Sequence, residues 1–510
     1  MKNKIITIIS DTLKSMDYPL VKISIEKPKN KENGDISSNI AFLLSKKLKQ
    51  NPLDIANKLK KTLSKSELFQ SVDVANPGFI NFKFNVEAIV QSVENIIKLN
   101  HDYGKNNSGK NKKALVEFVS ANPTGPLTVG HGRGAIIGDT ISNILSWNGY
   151  NVNREYYYNN AGRQMRILGE SLKARSYEKL GQKYSFPDDG YQGDYLIDIA
   201  NDLNSKFGKD LLNKEDDFYI KNAEEYIFKE IKSTLEDLGL QFDSFFNEHT
   251  LYENKDIYTV IEKLKDKNLI YEKDDATWFK ATSIGLNADR VLIKKTGEPT
   301  YRLPDIAYHA TKFNRGYDLC IDVFGADHMD AYPDVLAALQ QLGYDDNKVK
   351  VLIHQFVSII KNGEVVKMST RQGNFTTLNQ LIDDIGSDVV RYFFIMRSMN
   401  SHLNFDLELA KEKSENNPVY YIQYAHARIS TILNKINNDS KADLNQLSHN
   451  DEIQLIHKLI EFEELITKLK DKLEPQILAN YLFDLATMFH KYYAHHKIII
   501  DNEELSKARI

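Results

Sequence analysis

Cysteine is nearly missing: Cys320 stands alone in 510 residues. A disulfide within the chain is therefore impossible, and so is a multi-thiolate zinc site. Long apolar runs are missing too. No segment approaches the roughly 18 consecutive apolar residues of a membrane span. The start, Met1-Lys2-Asn3-Lys4-Ile5, lacks the apolar core and small-residue cleavage site of a secretory signal. These absences point to a cytoplasmic protein with no membrane partner. Disorder is excluded by composition, since 42% apolar and 27% charged residues match the usual globular balance. The length suggests about three domains.

Arginine is absent from the first 113 residues, which hold 20 lysines against 11 acids, a net +9; the remainder carries −13. A basic module on an acidic body suits a polyanion such as nucleic acid. A solvated, lysine-rich surface would read the same way.

The N-terminal 103 residues read as a small mixed α/β unit. Ile40–Leu48 and Leu53–Leu63 predict helices broken at Asn51-Pro52. Val72–Phe84 predicts strands turning at Asn76-Pro77-Gly78. A polar, basic stretch, 103–113, reads as a linker. Beyond it, Ala114–Val119 predicts a strand. A helix follows from about His131 to Trp147, with Ile137, Ile141, Ile144 and Leu145 on one face and Asn148-Gly149 as its stop. Val152–Tyr158 completes a βαβ unit, hence a parallel sheet with a right-handed crossover. Residues 166–275 are charged and mostly helical, and read as an insertion. Val291–Lys294, Leu319–Phe324 and Val349–Ile360 restore strand character, and from about 395 the chain reads as a helical bundle.

Two short motifs carry chemistry. Thr128-Val129-Gly130-His131-Gly132 sits where strand becomes helix. A helix N-terminus offers free N–H groups and partial positive charge to phosphate. Gly130 and Gly132 would let a nucleotide approach the backbone, and His131 could donate to a phosphate oxygen as charge develops there. The second is Lys367-Met368-Ser369-Thr370-Arg371, after a predicted Asn362-Gly363 turn and before a predicted capping box of Thr377 and Gln380. Such a loop could close over a triphosphate.

Taken together, a His-bearing helix start and a Lys-Met-Ser loop some 240 residues later resemble a class I aminoacyl-tRNA synthetase. Longer strings narrow the likeness: Glu117-Phe118-Val119-Ser120-Ala121-Asn122-Pro123-Thr124-Gly125-Pro126, Asp305-Ile306-Ala307-Tyr308-His309, Gly325-Ala326-Asp327-His328 and Asn417-Pro418-Val419-Tyr420-Tyr421. With Gly34-Asp35-Ile36 near the start, they resemble the arginyl-tRNA synthetase family over nearly the whole chain.

The resemblance implies a fold and a reaction. The fold is α/β: an N-terminal tRNA-contacting domain (1–108), a Rossmann-type parallel-sheet catalytic domain (109–395) and an all-α anticodon-binding bundle (396–510). The reaction joins L-arginine to tRNA(Arg) through an arginyl-adenylate made from ATP, with Mg²⁺ accompanying the ATP, no zinc, and a monomeric enzyme. His131, Thr128, Lys367, Ser369 and Arg371 are the implied catalytic residues. Gly130, Gly132, His328, Lys367 and Met368 would bind ATP, and Glu117, Asn122, Tyr301, Asp305 and Asp327 arginine. Glu117 also stands out by itself: a carboxylate inside an apolar strand needs a cationic partner if buried. Tyr420, Tyr424 and Arg428 would contact tRNA, although tyrosines at helical spacing equally suit a core.

The chain departs from the pattern in three places. Thr128 replaces the family's first histidine, Thr370 replaces the second loop lysine, and the chain stops at Ile510, where the family normally runs on.

Overall fold

The computed structural model describes residues 2–28, 30–160, 162–366, 376–434 and 442–510. They form two compact units, and neither is one continuous stretch of chain.

The first unit joins residues 1–105 to 422–468 and 481–510. Its antiparallel sheet has the order β1-β2-β4-β3, with β1 Ile25–Glu26, β2 Ile36–Ser38, β3 Phe69–Ala75 and β4 Phe79–Phe84. Helices Ile40–Leu48 and Pro52–Leu63 pack beside it, and Asn51 caps the second by accepting the Leu53 N–H at 2.8 Å. Ile9, Leu13, Leu44, Leu59, Ile80 and Phe82 make the core, and Leu447, Ile456 and Ala508 from the C-terminal segments complete it. Sequence alone separates residues 1–108 from 396–510. In the structure, apolar side chains of the terminal segments are buried together with those of the N-terminal segment.

The second unit spans residues 106–421 and 469–480. Its five-stranded sheet has the order β12-β11-β5-β6-β7, with β5 Lys113–Glu117, β6 Asn151–Tyr158, β7 Ser244–Asn247, β11 Leu319–Gly325 and β12 Val349–His354. All four ladders are parallel. Chain order runs outward from β5 in one direction and then the other, so β5 and β11 flank the topological switch point. The helix Val129–Trp147 follows β5 and buries Ile137, Ile141, Ile144 and Leu145 as its spacing predicts. It lies so close to the strand that a Cβ on Gly138 would come 2.2 Å from Phe118.

Three expectations change. β7 belongs to the main sheet, so residues 166–275 are not wholly an insertion; four residues are too few to show a period. Arg290–Ile293 (β10) pairs instead with β9 (Ala276–Phe279), in a separate sheet with β8 (Ile270–Lys273). Residues 349–360 are two strands, not one: β13 (Val357–Lys361) turns through Asn362 and Gly363, both at positive φ, into β14 (Glu364–Val365). β13 also pairs in parallel with β15 (Leu403–Asp406), so part of the expected terminal bundle belongs to this unit.

Candidate active site

The C-terminal ends of β5, β11 and β12 bring the candidate residues together. In a doubly wound sheet this is the crevice where ligands bind.

Thr128 is the N-cap of the helix Val129–Trp147 and forms a reciprocal box with His131. The Thr128 hydroxyl accepts the His131 N–H at 3.5 Å, while His131 Nδ1 accepts the Thr128 N–H at 3.1 Å. That second bond leaves the ring hydrogen of a neutral imidazole on Nε2. Burial lowers the pKa of His131, with Asp327 opposing, so the ring is neutral at pH 7 and Nε2 is a donor. Thr128 thus acts through the histidine: its backbone sets the tautomer.

The two glycines of this motif differ. A Cβ on Gly130 would meet only the Thr128 hydroxyl, at 3.6 Å, so that face is open to a ligand. A Cβ on Gly132 would come 2.6 Å from Leu378 and 3.1 Å from Phe394. Close helix packing, rather than nucleotide approach, requires glycine at 132. Gly134 makes room for His354, whose Nε2 would lie 2.8 Å from an added Cβ.

His354 ends β12, buried, and burial lowers its pKa to about 4. The charges of Asp327 and His131 both reach it. Sequence reasoning missed this residue; its one signal is a histidine closing an apolar strand. Asp327 and His328 follow β11 in a short turn, both exposed, with the His328 ring stacked on Phe324 at 5.0 Å.

Lys367, Met368, Ser369 and Arg371 lie outside the described residues. The segment beyond them is placed: Thr377 caps the next helix, bonding with Gln380 as its spacing predicts. Thr377 also bridges to Thr128, and the Leu378 N–H donates to the Leu127 carbonyl at 2.8 Å. Thr377 and Leu378 are therefore held beside the helix start that carries His131.

Behind these residues is a buried charge cluster. Glu117 and Asp322 sit opposite each other on β5 and β11. Lys312, fully buried, lies between them and donates to Glu117 Oε2 and Asp322 Oδ1, both at 2.6 Å. Glu117 therefore has a cation from its own chain. Its other oxygen accepts from the Ser120 hydroxyl at 3.0 Å. Reaching it puts Val119 and Ser120 at φ of 68° and 45°, a strained turn for a β-branched residue. Burial still raises the Glu117 carboxyl, with Lys312 opposing and Asp322 adding. Burial also works against Asp322, but Lys312 and His309 outweigh it and hold that carboxyl well below the usual range.

Asp305 lies in the first turn of the helix Arg302–Asn314, partly buried. No described residue donates a hydrogen bond to its carboxylate. Burial raises its pKa to about 6, with His309 opposing and Glu117 adding. Asp305, beside Glu117 and with no cation bonded to it among the described residues, is thus a carboxyl whose charged form the fold disfavours, which suits a site that receives a cation. Asn122 bonds to Gln164 at 2.8 Å at the rim. Tyr301 is 73% exposed at the helix N-cap, one turn before Asp305, whose N–H donates to the Tyr301 carbonyl at 3.2 Å.

Arg133 ties the site together from below. Wholly buried, it donates to the carbonyls of Gln355, Ser401 and Ser398 at 2.7–2.9 Å. Arg133→Met would orphan these carbonyls, and we expect a loss of about 3–5 kcal/mol in folding stability, measured by urea unfolding.

In the first unit, Tyr424 is exposed on the helix Pro418–Leu433, under the Arg428 guanidinium at 4.2 Å and near His490 at 5.7 Å. Tyr420, which belongs to the second unit, is also exposed, on the first turn of that helix. Both belong to surface rather than core. His449, Asp451 and His496 converge elsewhere in the first unit. Asp451 pairs with His496 at 2.9 Å and its N–H donates to His449 Nδ1 at 3.1 Å, and these bonds account for the arrangement.

Three family models match the chain: the arginyl tRNA synthetase N-terminal domain over residues 3–84, the class I (R) tRNA synthetase catalytic domain over 92–394, and the DALR anticodon binding domain over 422–510. An arginine–tRNA ligase of Desulfotalea psychrophila is 46% identical over 498 residues, covering 96% of this chain and 90% of that protein. One from Chlorobium phaeobacteroides is 48% identical over 511 residues, covering 97% and 92%. The solved arginyl-tRNA synthetase of Thermus thermophilus shares the fold, with a TM-score of 0.76 at 20% identity, covering 100% of this chain and 95% of that one. No helix among the described residues is long and apolar enough to cross a membrane. With the catalytic-domain model matching more than half its length and relatives nearly half identical end to end, the chain belongs to the arginyl-tRNA synthetase family.

Proposed function

We propose that the chain is an arginine–tRNA ligase, acting as a monomer in the cytoplasm. The observation that carries the reading is the Asp305 carboxylate, raised to about 6 by burial and without a hydrogen-bond donor among the described residues, beside Glu117. A guanidinium supplies the cation and planar donors that these carboxylates want.

The arginine carboxylate attacks the α-phosphate of ATP, forming arginyl-adenylate and releasing pyrophosphate. Arginine then passes to the 2′-hydroxyl of the terminal adenosine of tRNA(Arg), and AMP leaves. His131 Nε2–H donates to the phosphate oxygens as negative charge builds, and the helix N-terminus adds to the effect. Gly130 leaves its face open to the nucleotide, and His328 and the Lys367–Arg371 loop complete the ATP site. Asp327 and Asn122 stand at the rim to receive the α-amino end of arginine. Mg²⁺, when bound, neutralises phosphate charge. Among the described residues the one carboxylate whose charge reaches His131 is Asp327. This donor set fits an ion carried by phosphates and water rather than a protein cage.

The lysines of residues 1–113 would contact tRNA phosphates. Tyr420, Tyr424 and Arg428 expose rings and a guanidinium suited to unstacked bases. A charging assay with tRNA, ATP and each of the twenty amino acids tests the assignment. Arginine alone should be esterified, and preferential charging with another amino acid would refute the proposal.

A further inference from the structure

Glu117 and Asp322 are directly opposed on neighbouring strands, and both are almost without solvent contact. Two carboxylates so placed cannot both ionise without a cation between them. Lys312 is that cation. It bonds to both at 2.6 Å, and its Nζ stands 4.3 Å from the centre of the Tyr308 ring, which walls it from solvent. The remaining Asp322 oxygen lies 2.9 Å from His309 Nε2, while His309 Nδ1 lies 2.8 Å from the Asp305 carbonyl. Lys312 Nζ also stands 3.5 Å from that Nε2, so the lysine, the histidine and Asp322 form one buried cluster.

Lys312 is bonded to Glu117 and Asp322, while Asp305 and the nearby buried Glu248 have no cation bonded to them among the described residues. The Lys312 bond also does something geometric. Glu117 is held by one donor on each oxygen, Lys312 and Ser120, which fixes the plane of the carboxylate. A carboxylate has about four lone-pair sites, so two remain for a ligand.

We propose that Lys312 is a positioning residue for arginine recognition: it holds the Glu117 carboxylate in a fixed plane toward arginine and neutralises part of the buried negative charge behind it. This rests on the arginine reading above. Lys312 does not touch the substrate; it acts through Glu117.

The test compares the parent chain with Lys312→Met and with the double variant Lys312→Met/Asp322→Asn, using arginine-dependent ATP–pyrophosphate exchange with tRNA present. The double variant removes one buried charge of each sign and keeps the packed volume, so it folds even if the single variant does not. Both variants lack the Lys312 donor to Glu117. The expected result is an arginine KM raised at least tenfold in every variant that folds, with the ATP KM unchanged within twofold. The acid limb of kcat/KM for arginine should also move to higher pH, because Glu117 has lost its cation. A double variant with the parent's arginine KM and pH profile would overturn the proposal and leave Lys312 a structural ion only. Equal rises in the KM of arginine and ATP would overturn it too. A parent chain inert with arginine but active with another amino acid would instead refute the arginine reading.

Discussion

Asp305→Asn is expected to cost arginine far more than ATP. The substitution keeps the size of the side chain and removes the one carboxylate in the cluster that has no donor of its own. Losing one partner of a buried charge pair typically costs about 2–5 kcal/mol, roughly 30- to 5,000-fold in kcat/KM. The ATP KM should move less than about threefold, because the nucleotide end of the site is built from other elements. A pH signature accompanies the effect. In the free protein the Asp305 carboxyl titrates at about 6. Above that pH it is ionised and can pair with the guanidinium; below it the proton occupies the place of the cation. The kcat/KM for arginine should therefore fall with unit slope below about pH 6, since this parameter reports groups of the free enzyme. Asp305→Asn should abolish that limb. An unchanged arginine KM, or an acid limb that survives the substitution, would remove Asp305 from recognition.

His131→Ala should act on the chemical step. The ring is buried and neutral, and its tautomer is set by the Thr128 N–H, so Nε2 presents a hydrogen without reorganisation. Donors prearranged for a developing charge contribute most in the transition state, and removing one costs about 2–4 kcal/mol. Adenylation measured by rapid quench should slow roughly 30- to 800-fold with the ATP KM nearly constant. Equal turnover in variant and parent at saturating ATP would contradict this role.

Much of this arrangement is legible in the sequence, and the reasons differ from place to place. The helix after β5 announces itself through Ile137, Ile141, Ile144 and Leu145, and through a turn that ends at Gly149. The Asn362-Gly363 hairpin and the Thr377–Gln380 cap are local chemistry, complete within four residues. Glu117 signals itself as a charge inside an apolar strand. What cannot be read locally is the partner. Lys312 lies 195 residues from Glu117 and looks like any polar position of a helix until the fold brings it under the sheet. The sequence suggests a substrate cation for Glu117; the structure shows that the chain supplies one and leaves Asp305 wanting. His354 fails to stand out for the same reason, since a histidine at a strand end has no pattern. The joining of residues 1–105 to the terminal helices is invisible for a broader reason. Leu447 and Ile456 are unremarkable apolar positions on helical segments, and nothing in their spacing says whose core they enter.

The most direct measurement is competition between arginine and citrulline for esterification to tRNA by the unmodified chain. Citrulline has nearly the shape of arginine, with a neutral urea in place of the guanidinium. A site built around an unpaired buried carboxylate should reject it by about 10⁴-fold in kcat/KM, as sites do when a partner for their buried polar groups is withheld. Comparable charging with the two would mean that shape rather than charge selects the substrate, and would contradict the account of Asp305 and Glu117.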